Sequence, residues 1–195
     1  MTNGDILQGD FEDTYNNLTL KTMMGVQWIS RFCPTASFVF LVDDDVIVNF
    51  HNLLKFTSSI ADDEMSSLFS GCVHGSSLPI RTKGKWLISK EDFPFPCYPT
   101  YVSGTAVVTT GKVIQRFNAA IPYVKFLVFE DVFLGIVAWK LGIQPRIENS
   151  KFDFEGKNLH RLPCIITSHR QGIQGDVYEK KYQSLIHLPC QDWIL

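Results

Sequence analysis

The sequence predicts one α/β domain, a mixed and mainly parallel sheet flanked by helices. Three observations carry that expectation. Short apolar runs alternate along the chain with stretches of helical period, the order of strand and helix units. The clearest run, Phe38-Val39-Phe40-Leu41-Val42, is apolar at every position, as a strand covered on both faces should be. With 195 residues, 45% of them hydrophobic, there is enough chain for one core.

The elements follow in order. Asp5 to Phe11 is mixed in character and reads as a strand end and loop. A helix over about Asn17 to Phe32 puts Leu18, Thr22, Val26, Ile29 and Cys33 on one face, and Pro34 stops it. The apolar strand comes next and runs into Asp43-Asp44-Asp45. Asn49 caps a second helix carrying Leu53, Leu54 and Phe56. Leu68 to Val73 is a short strand, Ser76 to Trp86 a loop, and Trp86-Leu87-Ile88 a further strand. Phe93 to Tyr101 holds too many prolines for a helix or a central strand, so its rings cover the core or line a cleft. Val102 to Val108 is a strand whose small first residues, Ser103 and Gly104, permit close approach of a ligand or of backbone. Thr110 caps a helix. Another begins near Glu130-Asp131, carries Val132, Ile136 and Trp139, and stops at Gly142. Ile143 to Ile147 is a strand, Lys151 to Leu162 a loop, and Cys164 to Thr167 a β-rich run ending at Ser168-His169-Arg170. The tail from Gly175 to Leu195 has no clear period.

Bulk chemistry excludes some functions. A formal net charge of −2 gives no electrostatic case for nucleic acid. No apolar run approaches the roughly 20 residues of a membrane span. Five scattered cysteines contain no CxxC pair, which argues against structural zinc. They fit a reduced protein or a lumenal one with up to two bridges. Asn17-Leu18-Thr19 is a glycosylation triplet that matters only in the secretory pathway.

Three places can carry chemistry. Asp43-Asp44-Asp45 follows a strand at the end where α/β sheets place ligands, and three adjacent carboxylates invite a hard cation. A solvated acidic turn is the alternative. Asp131 sits at a helix start, where the dipole favours its ionised form, ready to act as a base; simple complementing of the dipole is the alternative. His169 follows an apolar strand and is either a metal ligand or a strand-end residue facing solvent.

Taken jointly, the motifs resemble a known family. Asp5 to Phe11, Tyr15 to Thr22, Trp28, Cys33, Asp43-Asp44-Asp45-Val46 with Asn49, Tyr98 to Gly104 and Glu130-Asp131-Val132-Phe133-Leu134-Gly135 occur in the order seen in β-1,3-galactosyltransferases and β-1,3-N-acetylglucosaminyltransferases. The resemblance runs from about Asp5 to His169. It implies a GT-A-like fold and an inverting transfer of a hexose or N-acetylhexosamine from a UDP-sugar to a hydroxyl of a glycan on protein or lipid. It implies Mn²⁺ held by Asp45 and His169, donor contacts from Asp43, Asp44, Tyr101, Ser103 and Gly104, and Asp131 as the base. Trp86 would stack on a sugar or sit in the core. Golgi residence and a membrane anchor in a full-length form are further implications. So is a part of the nucleotide-binding half upstream of Asp5, so that residues 1–195 would be a single partial catalytic domain missing its first strands. Val102 and Val137 stand where many members carry cysteine. Two alternatives stay open: an inactive relative that binds sugar or a partner, and a phosphohydrolase of the haloacid dehalogenase type, which also places aspartates after a buried strand.

Overall fold

The computed structural model describes residues 4–170, 175–188 and 190. A 3-10 turn, Tyr15–Asn17, leads into α1 (Leu18–Phe32). Inside α1, Val26 is fully buried, and Thr19 is buried with its hydroxyl donating to the carbonyl of Leu127 at 2.8 Å. The Asn17 amide donates to the Glu12 carbonyl, so both ends of the glycosylation triplet are engaged.

The strands form two sheets. The larger runs β1 (Phe38–Val42), β4 (Tyr101–Thr110), β3 (Phe69–His74), β5 (Arg146–Ile147) across its width. The smaller runs β2 (Val46–Val48), β7 (Thr167–His169), β6 (Phe152–Asp153). The architecture is mixed α/β, but the expected mainly parallel order is not what forms. β4 is antiparallel to both β1 and β3, β2 is antiparallel to β7, and only the short β3–β5 and β6–β7 pairings are parallel. The reason lies in residues 75–100, which contain no crossover helix. The chain leaves β3 at His74, makes a long excursion and returns at the same end, where His74 pairs with Tyr101. That connection is a hairpin, and hairpins join antiparallel strands.

A second correction concerns β1. It is an edge strand of the larger sheet, with only Val39 buried and Val42 41% exposed, and is not covered on both faces. The strand buried on both sides is β4, placed between β1 and β3. Val107 joins the core built with α1, α3 (Gly111–Ala120) and α4 (Glu130–Lys140). Ala106 and Val108 face the opposite core, which holds Leu53 and Phe56 of α2 (Phe50–Ser58) with Phe152 and Ile166. Val102 also faces the first core, although an unbroken alternation would turn it the other way. The β3–β4 register indeed shifts, between the pairs Gly71↔Val107 and Val73↔Val102. The irregularity on β4 therefore falls at Ser103 to Thr105, and bulges of this kind commonly re-aim side chains beside functional sites.

Helix ends follow local chemistry. Asn49 Oδ1 accepts from the Asn52 amide at 3.1 Å and Thr110 Oγ1 from the Val113 amide at 3.2 Å, capping α2 and α3. Gly142, with φ of 69°, ends α4. Trp86-Leu87-Ile88 forms no strand, only a single bridge from Leu87 to Ile80, and Asp5 to Phe11 forms none. In the tail, α5 (Gly175–Leu185) lays Tyr182 and Leu185 against Leu159, Leu162 and Ile165. A disulfide joins Cys164 to Cys190.

α4 packs on β4 through Gly135, where an added Cβ would collide with Tyr101 Cβ and press on the Thr100 carbonyl. Gly135→Ala is therefore expected to destabilise the fold by about 1–3 kcal/mol, the usual cost of overpacking a fixed contact. Urea unfolding measures it, and an unshifted midpoint refutes the tight contact.

Candidate active site

The aspartate triplet is a turn between the two sheets. β1 belongs to the larger sheet and β2 to the smaller, so the chain changes sheets at Asp43 to Asp45. The Val46 amide donates to the Asp43 carbonyl at 3.3 Å, and the Asp43 amide donates to the Thr105 carbonyl at 3.1 Å. The β2–β7 pairing then sets Val46 opposite His169, and the Arg170 amide donates to the Asp45 carbonyl at 2.8 Å. This backbone clamp brings His169 Nε2 within 3.3 Å of Asp45 Oδ2. The Asp45 side chain is about half exposed and that of His169 largely buried.

Asp45 and His169 thus offer one oxygen and one nitrogen ligand. Among the described residues no group of three or more His, Cys, Asp or Glu side chains is gathered tightly enough to hold a metal alone. A carboxylate oxygen beside an imidazole nitrogen is a donor pair that fits a divalent cation such as Mn²⁺. Asp43 is the more strained neighbour. Desolvation, then the charges of Asp45 and Asp44, push its carboxyl above the ordinary range, while His169 and Lys21 oppose the shift.

The first turn of α4 meets the irregular part of β4. Asp131 Oδ1 accepts from the Val132 amide at 2.7 Å, and the Gly104 backbone also bonds this carboxylate. Those donors and His74 lower its pKa, but burial is the larger influence and the carboxyl lies above its usual value. The helix start does not hold Asp131 at a depressed pKa, as its position alone suggests. It is instead a stronger proton acceptor than a solvated aspartate. Ser103 is 2% exposed and its hydroxyl lies 3.2 Å from that of Thr105, so it forms the floor beneath the surface. Tyr101 is half-buried, its ring stacked on His74.

Glu130 reads from sequence as a dipole partner of α4, and the structure makes it part of the site. A Cβ on residue 104 would strike Glu130 Oε1, so glycine there makes room for this carboxylate. Burial first, then the charge of Asp131 and that of Asp43, push Glu130 up to about 7 from an ordinary 4.5, with Lys85 pulling the other way. The folded protein therefore holds this proton more tightly than the unfolded chain. Stability should be fullest below pH about 4.5 and fall as the pH rises toward 7, by on the order of 2 kcal/mol in metal-free buffer. Glu130→Gln should flatten that decline in thermal unfolding followed across the range. An equally steep decline in the variant refutes the assignment.

Three residues that sequence reasoning passes over or places loosely form the rim. Trp86 Nε1 donates to the Tyr15 hydroxyl at 2.9 Å, and Lys85 Nζ stands 4.0 Å above the Tyr15 ring centre. Trp86 is 52% exposed, which answers whether it is a core residue. Burial raises the Tyr15 hydroxyl, and the charges of Glu130, Asp131 and Asp43 raise it further, so this rim overlooks the acidic notch. The sequence signal is a Lys-Trp pair closing a loop that mixes Gly, Ser, Pro and basic residues.

A galactosyltransferase family model matches residues 1–149. The chain belongs to the galactosyltransferase family. Human β-1,3-galactosyltransferase 5 is 39% identical over 166 residues, 83% of this chain and 52% of that protein. Human lactosylceramide 1,3-N-acetyl-β-D-glucosaminyltransferase is 37% identical over 171 residues, 85% of this chain and 45% of that protein. Mouse β-1,3-galactosyltransferase 5 is 39% identical over 164 residues, 82% and 52% of the two chains. The chain thus spans about half the length of these curated relatives. Within this galactosyltransferase-family chain, Asp43 to Asp45, Gly104, Glu130 and Asp131 lie in the matched residues and His169 lies beyond them. Val102 and Val137 are both buried in the first core, so apolar packing occupies both positions.

Proposed function

We propose that this chain carries the catalytic centre of an inverting glycosyltransferase. It moves a hexose or N-acetylhexosamine from a UDP-sugar to a hydroxyl of an acceptor glycan on protein or lipid, in β-1,3 linkage. One observation carries the reading: two acidic groups far apart in sequence, Asp43 to Asp45 and Glu130-Asp131, converge around Gly104 and Thr105. Family membership and the names of the relatives support it.

The two groups divide the labour of a single displacement. On the leaving-group side, Asp45 and His169 would hold Mn²⁺, and Asp43 and Asp44 would place the ribose. When bound, the cation supplies Lewis-acid stabilisation of the charge that develops on UDP. On the opposite side, Asp131 accepts the acceptor hydroxyl's proton. The acceptor oxygen bonds to the anomeric carbon while the bond to UDP breaks, and UDP leaves with the electron pair. No enzyme nucleophile is required. Glu130, half protonated near neutral pH, lets two carboxylates lie side by side without full repulsion. Tyr101 and Gly104 line the notch, Ser103 supports it from below, and Trp86 offers an exposed ring at the rim.

The compartment is part of the proposal. The Cys164–Cys190 disulfide fits an oxidising lumen, and we place the protein in the Golgi. Among the described residues no helix is long and apolar enough to cross a membrane.

The test is UDP release from UDP-galactose and UDP-N-acetylglucosamine, with β-galactoside and N-acetylglucosaminide acceptors, with and without Mn²⁺. Mn²⁺-dependent release that requires the acceptor is the expected result. Folded protein that binds acceptor but neither binds nor turns over either donor would favour an inactive, sugar-binding relative.

A further inference from the structure

A second concavity, of about 280 Å³, lies behind Tyr101. It opens between the end of β3 and the segment after β6, and its wall includes Cys72, His74, Asp153, Phe154, Asn158 and Arg161. Ligand pockets start at roughly 300 Å³, so its size suits one sugar ring better than a chain of them.

Its construction points to binding and not to chemistry. Asp153 is 8% exposed and fully occupied, accepting from the Asn158 amide at 2.7 Å, from Asn158 Nδ2 at 3.3 Å and from Ser168 Oγ at 2.8 Å. It braces the loop that forms the wall. Burial and the charges of Asp153 and Glu155 raise the Cys72 thiol, which keeps it protonated and poorly nucleophilic. Arg161 is partly buried and lines the same cavity, and among the described residues its guanidinium has no hydrogen-bond or ion-pair partner. Phe154 sets its ring edge against His74, with centroids 5.3 Å apart. A guanidinium fork, the exposed Glu155 carboxylate, of which Oε2 pairs with Lys157 Nζ at 2.7 Å, and an aromatic ring are what a pyranose needs: donors and an acceptor for its hydroxyls, and a surface for its C–H face.

The cavity is tied to the base by contacts. His74 pairs with Tyr101 across the sheet and stacks on it, with centroids 5.1 Å apart. Tyr101 in turn packs on Gly135, one helical turn beyond Asp131. His74 thus belongs to the cavity wall, stacks on Tyr101 and acts electrostatically on Asp131.

We infer that this cavity is the subsite for the second sugar of the acceptor glycan, the residue behind the one whose hydroxyl is glycosylated. The inference rests on the transferase reading above. Phe154 stacks on the ring, and Arg161 and Glu155 hold its hydroxyls. Acceptor length, and not donor choice, is what this cavity reads.

The test compares methyl β-galactoside with methyl β-lactoside, and methyl β-N-acetylglucosaminide with its β-1,3-linked galactoside disaccharide, in the full chain. The matched disaccharide should show a KM about tenfold lower than the monosaccharide. Phe154→Ala and Arg161→Ala should erase most of that advantage while leaving the monosaccharide KM and the donor KM unchanged. Equal KM values in the wild type, or variants that weaken monosaccharide and disaccharide alike, overturn the subsite. If the wild type transfers no sugar, the transferase reading fails by itself, and saturation-transfer NMR of the same disaccharides decides the cavity. Contact with the second ring that disappears in folded Phe154→Ala and Arg161→Ala supports it, and absence of contact in the wild type overturns it.

Discussion

Asp131→Asn is expected to lower sugar transfer by roughly 10²–10⁴-fold, the usual worth of a positioned general base, while UDP binding in the presence of Mn²⁺ is retained. The variant is isosteric. Its side-chain oxygen can still accept from the Val132 and Gly104 backbones, so the first turn of α4 keeps its shape. What it loses is the site that takes a proton. The substitution also removes the largest charge acting on Glu130, whose carboxyl should then fall below its present value of about 7. Folding stability should hold or rise, because a buried charge has gone. Rates under donor saturation, with UDP affinity measured separately by titration calorimetry, check the prediction. A rate equal to wild type removes Asp131 from the mechanism.

Asp45→Ala should weaken Mn²⁺-dependent UDP binding by at least about 10²-fold, more than the 10–100-fold typical when only a supporting residue is lost. The turn itself should survive. It is held by backbone bonds from Val46 to Asp43 and from Arg170 to Asp45, which do not involve the deleted carboxylate. The exposed side chain contributes little to folding, so unfolding should shift by no more than about 0.5 kcal/mol. His169→Ala should give a smaller loss, since the remaining carboxylate is the harder ligand and the better match to a hard cation. An unchanged Mn²⁺-dependent UDP affinity in Asp45→Ala would remove the metal assignment from the triplet.

Both predictions depend on residues that the chain's own motifs single out, whereas the residues around them stand out only in three dimensions. Asn49 and Thr110 declare their helices because a side-chain cap is a bond over three residues. Gly142 declares the stop of α4 because only a local backbone angle is involved. Asp43 to Asp45 announces itself because no packing demand produces three adjacent carboxylates. Glu130 gives no such sign. Its shift arises from desolvation, from Asp131 and from Asp43, and the last of these is set by where β4 and α4 lie. His74 is silent in the sequence for the same reason, and the contact of Lys85 with the Tyr15 ring likewise joins residues distant in the chain.

Sheet order is the other illegible part. The apolar run of β1 has the composition of a central strand, and it is an edge. Alternating strands and helices imply parallel pairing, yet the excursion through residues 75–100 closes as a hairpin. Apolar content says that a strand is covered, and says nothing of which strand lies beside it. That choice is made by the direction of the connections and by two cores competing for the faces of β4. Local sequence marks α1 to α4, β1, β3 and β4, two helix caps and the family's acidic motifs, because each is a matter of neighbouring residues; it marks neither β2 nor α5, and the strand it offers at Trp86 to Ile88 does not form. Only the tertiary structure decided that β2 pairs with β7, placing His169 beside Asp45, and that Gly104 leaves room for Glu130 next to Asp131. Those contacts are long-range, and they exist only once the two sheets and α4 have packed.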